Sequence, residues 1–145
     1  MNILNSPIYK HIKQTLSLPL ADLFFFENLV VVQINEGMHV TAETSKNCFE
    51  VIYAFYETKN KPFGYLSNRI NQYSIEVLDY KKYNNFFPNL AYYGIIGYSA
   101  FQHLSINIEK KFCEMPVYSF QNLNEAYIKM NNYILNKTSL IDSVN

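Results

Sequence analysis

LFFFENLVVVQI, residues 23–34, is the stretch whose reading decides the fold. Two apolar, β-favouring runs flank Glu27-Asn28, a spacer of hairpin length, so they should pair antiparallel. In the second run Val30, Val32 and Ile34 point one way and Leu29, Val31 and Gln33 the other. Both sets are largely apolar, which suits a strand covered on both faces.

Upstream, Ile12, Leu16, Leu18 and Leu20 fall on even positions and Lys13, Thr15, Ser17 and Pro19 on odd ones. That period of two predicts an amphipathic strand, and Pro19 suits a sheet edge. Residues 1–19 are thus an N-terminal extension or edge strand, and Ser6-Pro7 also fits a helix start.

Downstream, Asn35-Glu36-Gly37 ends the hairpin. Thr41 then caps a helix with Glu43 in its first turn and Cys48, Phe49, Ile52, Phe55 and Tyr56 on its buried face. The helix stops near Asn60-Lys61-Pro62. Residues 63–67 form a strand, and 77–86 a short helix with Lys81 and Lys82 outward, closed by Pro88. Residues 91–98 form a strand that is apolar at nearly every position. Ser99 caps a helix through Phe112, with Phe101, Leu104, Ile108 and Phe112 on one side. After Pro116 come a strand at 117–120 and a capping box, Asn122 to Glu125, opening a helix that carries Ala126, Met130, Tyr133 and Ile134. Residues 137–145 read as a loose tail.

The order β-β-β-α-β-α-β-α-β-α predicts one α/β domain over residues 1–145: a mixed sheet with an N-terminal antiparallel hairpin and helices mainly on one face. Right-handed crossovers between neighbouring strands put the helices on the same side. The opposite face then needs a cover, which the N-terminal strand and nearby loops, a second subunit or an apolar ligand would each supply.

Composition narrows the function classes. Lys plus Arg equals Asp plus Glu at 12 each, so no global field draws nucleic acid or an anionic membrane. No apolar run approaches the ~20 residues of a membrane span, and the N-terminus does not read as a signal segment. The expectation is a cytoplasmic protein with no membrane span. Cys48 and Cys113 fall in separate helices as buried free thiols. The 13 Tyr and 11 Phe, with no Trp, read as a codon-usage bias without functional meaning.

His11, His39 and His103 are scattered without metal-ligand spacing, and no GxSxG, P-loop or GxGxxG occurs. Glu109, Glu114 and Glu125 sit at helical surface spacings. No catalytic set, metal site or cofactor site is therefore expected. The polar part of GYLSNRINQYSI (64–75) lies beyond the carboxyl end of its strand, where parallel α/β sheets bind ligands. Ser67, Asn68 and Arg69 meet Tyr98 and Ser99 there if the two strands are adjacent and parallel. Arg69 would hold a carboxylate or phosphate, helped by a helix start at Ser74 or Ser99. Alternatively Arg69 pairs with Glu36 or Glu76 to hold the loop, and asparagines such as Asn71 serve the turn. The candidate ligand- or partner-binding residues are thus Ser67, Asn68, Arg69, Asn71, Ser74, Tyr98 and Ser99.

From about Leu23 to Ile134 the chain resembles the STAS domain, in its SpoIIAA-like group of bacterial anti-sigma-factor-antagonist relatives. The opening hairpin, the strands GYLSN and YYGIIGYS and the ending MPVYSFQNLNEAYIKM carry the resemblance in that order. It implies a β/α superhelix and a non-enzymatic regulatory module that binds a protein partner and is controlled by serine phosphorylation. Leu66-Ser67 matches the strand end of the group's DLS-x-x-x-x-x-DSSG pattern, and Ser74 is the nearest match to its phosphoserine. The flanking Asp, second Ser and Gly are absent, and an N-cap equally explains Ser74. The related CRAL-TRIO group implies an apolar pocket floored by the sheet, hence a carrier of a lipid or fatty acid with its acidic head on Arg69. A homodimer through the sheet face is a further expectation.

Overall fold

The computed structural model describes residues 1–83 and 85–144. The expected hairpin is present: β2 (Ala21–Phe25) pairs antiparallel with β3 (Leu29–Ile34), and Phe26 N–H donates to Leu29 O across the turn at 2.9 Å. β1 (Gln14–Ser17) pairs antiparallel with β2 and forms one sheet edge. It ends before Pro19, and residues 18–20 belong to the turn rather than to the strand.

β3 pairs parallel with β5 (Phe63–Asn68), β5 with β7 (Leu90–Ile96), and β7 with β8 (Val117–Phe120), completing a six-stranded mixed sheet in the order β1-β2-β3-β5-β7-β8. A separate parallel ribbon joins β4 (His39–Val40) to β6 (Ser74–Ile75). Gly37 makes the approach to this ribbon possible: its φ of 78° lies in the left-handed region, which costs glycine nothing.

Four α-helices are described: α1 (Lys46–Tyr56), α2 (Tyr80–Tyr83), α3 (Ala100–Glu109) and α4 (Leu123–Val144). α1 packs Cys48, Ile52 and Tyr56 on Val30, Val32 and Phe63 of the sheet. α4 packs Leu123, Ala126, Met130 and Ile134 on the other face, against Leu29, Val31 and Leu66. Ile3 and Ile8, on short 3-10 turns, complete that second layer. The cover of the opposite face is thus this chain's own last helix and first residues. The strand faces agree with the alternation read from β3.

Several local expectations change. Thr41 caps a single turn and not α1: Thr44 N–H donates to Thr41 Oγ1 at 3.1 Å, while Ala42 N–H is held by Asp79 Oδ2 at 2.8 Å. α1 accordingly begins at Lys46. Ser74 caps no helix, because its backbone is committed to the β4–β6 ribbon. Glu76 takes the cap of the following 3-10 turn (Val77–Asp79). The helix expected over 77–86 is seen as this turn and α2; Asn84 lies outside the described residues.

α3 stops at Glu109, so Phe112 and Cys113 lie in the turn after it, and Cys113 is half-buried. α4 runs on to Val144, where a loose tail from 137 is expected; Asn145 lies outside the described residues. Among the described residues no helix is long and apolar enough to cross a membrane.

Candidate functional site

A cavity of about 430 Å³ lies on the α1 side of the sheet. Its floor includes Val32, Tyr65, Ser67 and Tyr93 of the central parallel strands, and α1 supplies Cys48 and Phe49. Val40 and Ile75 of the β4–β6 ribbon border it, with Tyr80 and Tyr83 of α2. The sheet register explains the tyrosine floor. Tyr65 on β5 and Tyr93 on β7 are paired in register and so project to the same face, with their rings 5.5 Å apart, edge to face. Phe49 continues the ring contacts, at 5.1 Å from both Tyr83 and Phe87.

Arg69 lines this cavity and is 5% exposed. Its Nη1 donates to Glu109 Oε2 at 2.5 Å and its Nη2 to Glu109 Oε1 at 2.6 Å. Glu109 is itself 1% exposed, and it also accepts from Tyr80 Oη at 2.5 Å and Ser105 Oγ at 3.3 Å. The arginine's partner is therefore neither Glu36 nor Glu76. Glu36 instead accepts from Gln72 N–H at 2.8 Å, and Glu76 caps its own turn. Glu109 is also not a surface carboxylate. Its backbone position lies four residues after Ser105, on the side of α3 turned toward the end of β5.

The sequence-derived site residues separate into two groups. Ser67 and Arg69 face the cavity with Tyr73, whose hydroxyl lies 3.3 Å from Ser67 Oγ and whose ring lies 5.6 Å from the Arg69 guanidinium carbon. Asn68, one residue on, turns to the α4 side. There its Nδ2 donates to Gln33 Oε1 at 2.9 Å and Met1 O at 2.8 Å, and its Oδ1 accepts from Tyr98 Oη at 2.6 Å. Asn68 and Tyr98 thereby hold the first residues of the chain in place.

Asn71 donates to Ile34 O at 3.0 Å, fastening its loop to β3. Ser99 caps α3, accepting from Gln102 N–H at 3.1 Å, while Gln102 bridges Tyr98 N–H and Arg69 O at 2.7 and 2.9 Å. These bonds occupy donors that an anion would need. Ser74 is exposed, with its Oγ 2.6 Å from His39 Nδ1.

Sequence reasoning missed Tyr65, Tyr73, Tyr80, Tyr83 and Tyr93, whose abundance reads as composition until the register places them together. Burial raises the phenol pKa of all five, so at neutral pH each remains an uncharged hydroxyl. Burial also pushes the Cys48 thiol up to about 11. Among the described residues no group of three or more His, Cys, Asp or Glu could hold a metal ion. No protein-family model matches the chain, and neither does any curated protein or solved structure.

Proposed function

We propose that this protein is a cytoplasmic carrier or sensor that binds one small apolar or amphipathic molecule in the tyrosine-lined cavity. The cavity itself carries this reading. Its 430 Å³ falls within the range of roughly 300–1,000 Å³ typical of small-molecule sites, and its wall is mostly apolar and aromatic with a few polar groups. Binding without turnover is the form the chemistry favours, because the cavity's Cys48 thiol is held protonated and His39 engages Ser74 outside it.

Native mass spectrometry of protein purified in aqueous buffer should show a bound small molecule, or a library screen should yield a 1:1 ligand. Ser67→Phe, which fills the cavity from its floor, should abolish either. A chain that remains bare and binds no library compound would overturn the reading.

A second reading rests on a different observation. Phe101, Leu104 and Ile108 on α3 are 80%, 64% and 52% exposed, an apolar stripe beside the β7–α3 loop. This supports the STAS-like regulatory module, with a protein partner docking at that end and exposed Ser74 as its modification site. A phosphopeptide containing Ser74, and loss of partner capture in Phe101→Ser, would test it.

A further inference from the structure

The cavity's charge arrangement narrows what it holds. Among the described lining residues Arg69 alone carries a charge, and both of its terminal nitrogens are already engaged by Glu109 just behind the wall. An entering carboxylate or phosphate would meet a guanidinium whose charge is cancelled and a second carboxylate close by. An entering ammonium would find no free carboxylate, because Glu109 is committed to Arg69, Tyr80 and Ser105. Burying one unbalanced ion is costly even after relaxation, enough to cancel the affinity of a weak ligand.

The rest of the wall offers ring faces and edges, with Tyr65 and Tyr93 perpendicular at 86° and Phe49 and Tyr83 at 79°. Such edge-to-face walls favour flat rings beyond what the buried area alone contributes. At protein-like packing density the volume accommodates on the order of 15–20 non-hydrogen atoms.

We infer that the ligand is an uncharged, flat-ring compound of two or three rings. This rests on the cavity-binding reading above and replaces the acidic head expected for a lipid. Arg69 and Glu109 then act as a neutral pair that rejects ions of either sign.

Two fluorescent probes with the same ring skeleton test the charge rule: neutral N-phenyl-1-naphthylamine and anionic 8-anilino-1-naphthalenesulfonate. The neutral probe should bind 1:1 with a Kd at least tenfold lower than the anionic one, and should slow alkylation of cavity-lining Cys48, followed by peptide mass spectrometry. 1-Decanol, neutral but without a ring, should displace it only at much higher concentration. In Glu109→Gln the uncancelled Arg69 charge should reduce or reverse the preference for the neutral probe. Should that variant fail to fold, Arg69→Met with Glu109→Met, which removes both charges and leaves no uncancelled one, should still prefer the neutral probe over the sulfonate.

Equal or tighter binding of the sulfonate by the wild-type chain would overturn the charge rule and leave the cavity reading intact. Equal competition by decanol would overturn the ring requirement alone. Binding of neither probe, or binding without protection of Cys48, would overturn the cavity reading as well.

Discussion

Arg69 and Glu109, 40 positions apart, close a buried bidentate ion pair that ties the end of β5 to the last turn of α3. Removing one partner strands the other charge in a low-dielectric site. Arg69→Met should therefore cost about 3–5 kcal/mol, and the double substitution Arg69→Met with Glu109→Met should cost less than the Arg69 change alone. Urea unfolding of the four proteins in the cycle measures the coupling, and strict additivity would show that the pair is energetically idle.

Tyr56 shows how the hairpin is fastened to α1. Its hydroxyl reaches the carbonyls of Phe26 and Leu29, at 2.7 and 2.5 Å, on either side of the Glu27-Asn28 turn. Its ring stacks on Phe63 at 4.6 Å. Tyr56→Phe keeps the stacking and deletes only the hydroxyl, so it should destabilise by about 1–3 kcal/mol. Hydrogen exchange should locate the loosening at the turn, through faster exchange of Phe26 N–H. A stability within ~0.3 kcal/mol of wild type would mean that water replaces the hydroxyl there at no cost.

How much of this was legible in the sequence follows from which interactions are local. The hairpin, the order of the six strands of the main sheet and the four helices, the two faces of β3 and the Ser99 cap all rest on neighbours within a few residues, where periodicity and turn chemistry speak directly; the β4–β6 ribbon was not read. The destination of α4 does not. Its stripe of Ala126, Met130 and Ile134 marks a buried face without saying which side of the sheet receives it. Glu109 was hidden for a related reason: on α3 the apolar residues Phe101, Leu104 and Ile108 face outward and a carboxylate faces inward, against the usual reading of amphipathicity. Arg69, with Tyr80 and Ser105, partners the inward carboxylate, and Ile106 is the apolar residue that α3 does bury. The tyrosine cavity likewise needs the β5–β7 register before Tyr65 and Tyr93 become neighbours.

Gly64 lets α4 approach the sheet closely. A β-carbon there would lie 2.6 Å from Met130 Cγ, and Met130 is fully buried. Gly64→Ala should therefore destabilise by about 1–3 kcal/mol through overpacking. Met130→Ala alone should cost about 2–5 kcal/mol through the void it leaves. Combined, the new methyl occupies part of that void, so the double variant should be more stable than the sum of the single costs by at least ~0.5 kcal/mol. Thermal or urea denaturation decides it, and simple additivity would mean that α4 shifts away from the sheet instead of meeting the methyl.

Cys48 links the cavity to a pH-dependent measurement. Burial pushes its thiol up from 9.0 to about 11, so the folded chain keeps the proton over a range in which the unfolded chain releases it. Unfolding between these values releases a proton, and stability should fall as pH rises from about 9 toward 11, with no contribution from this group below that window. Tyrosines with raised pKa act in the same direction at the upper end, so the comparison is with Cys48→Ala. The urea midpoint of that variant should fall less steeply with pH than the midpoint of the wild type. At pH 8 the same shift leaves about 100-fold less thiolate than in the unfolded chain, so alkylation of Cys48 in the folded protein should be slower by at least that factor. Parallel pH slopes together with rapid alkylation at pH 8 would show that the thiol is solvated and that the cavity stands open to water beside α1.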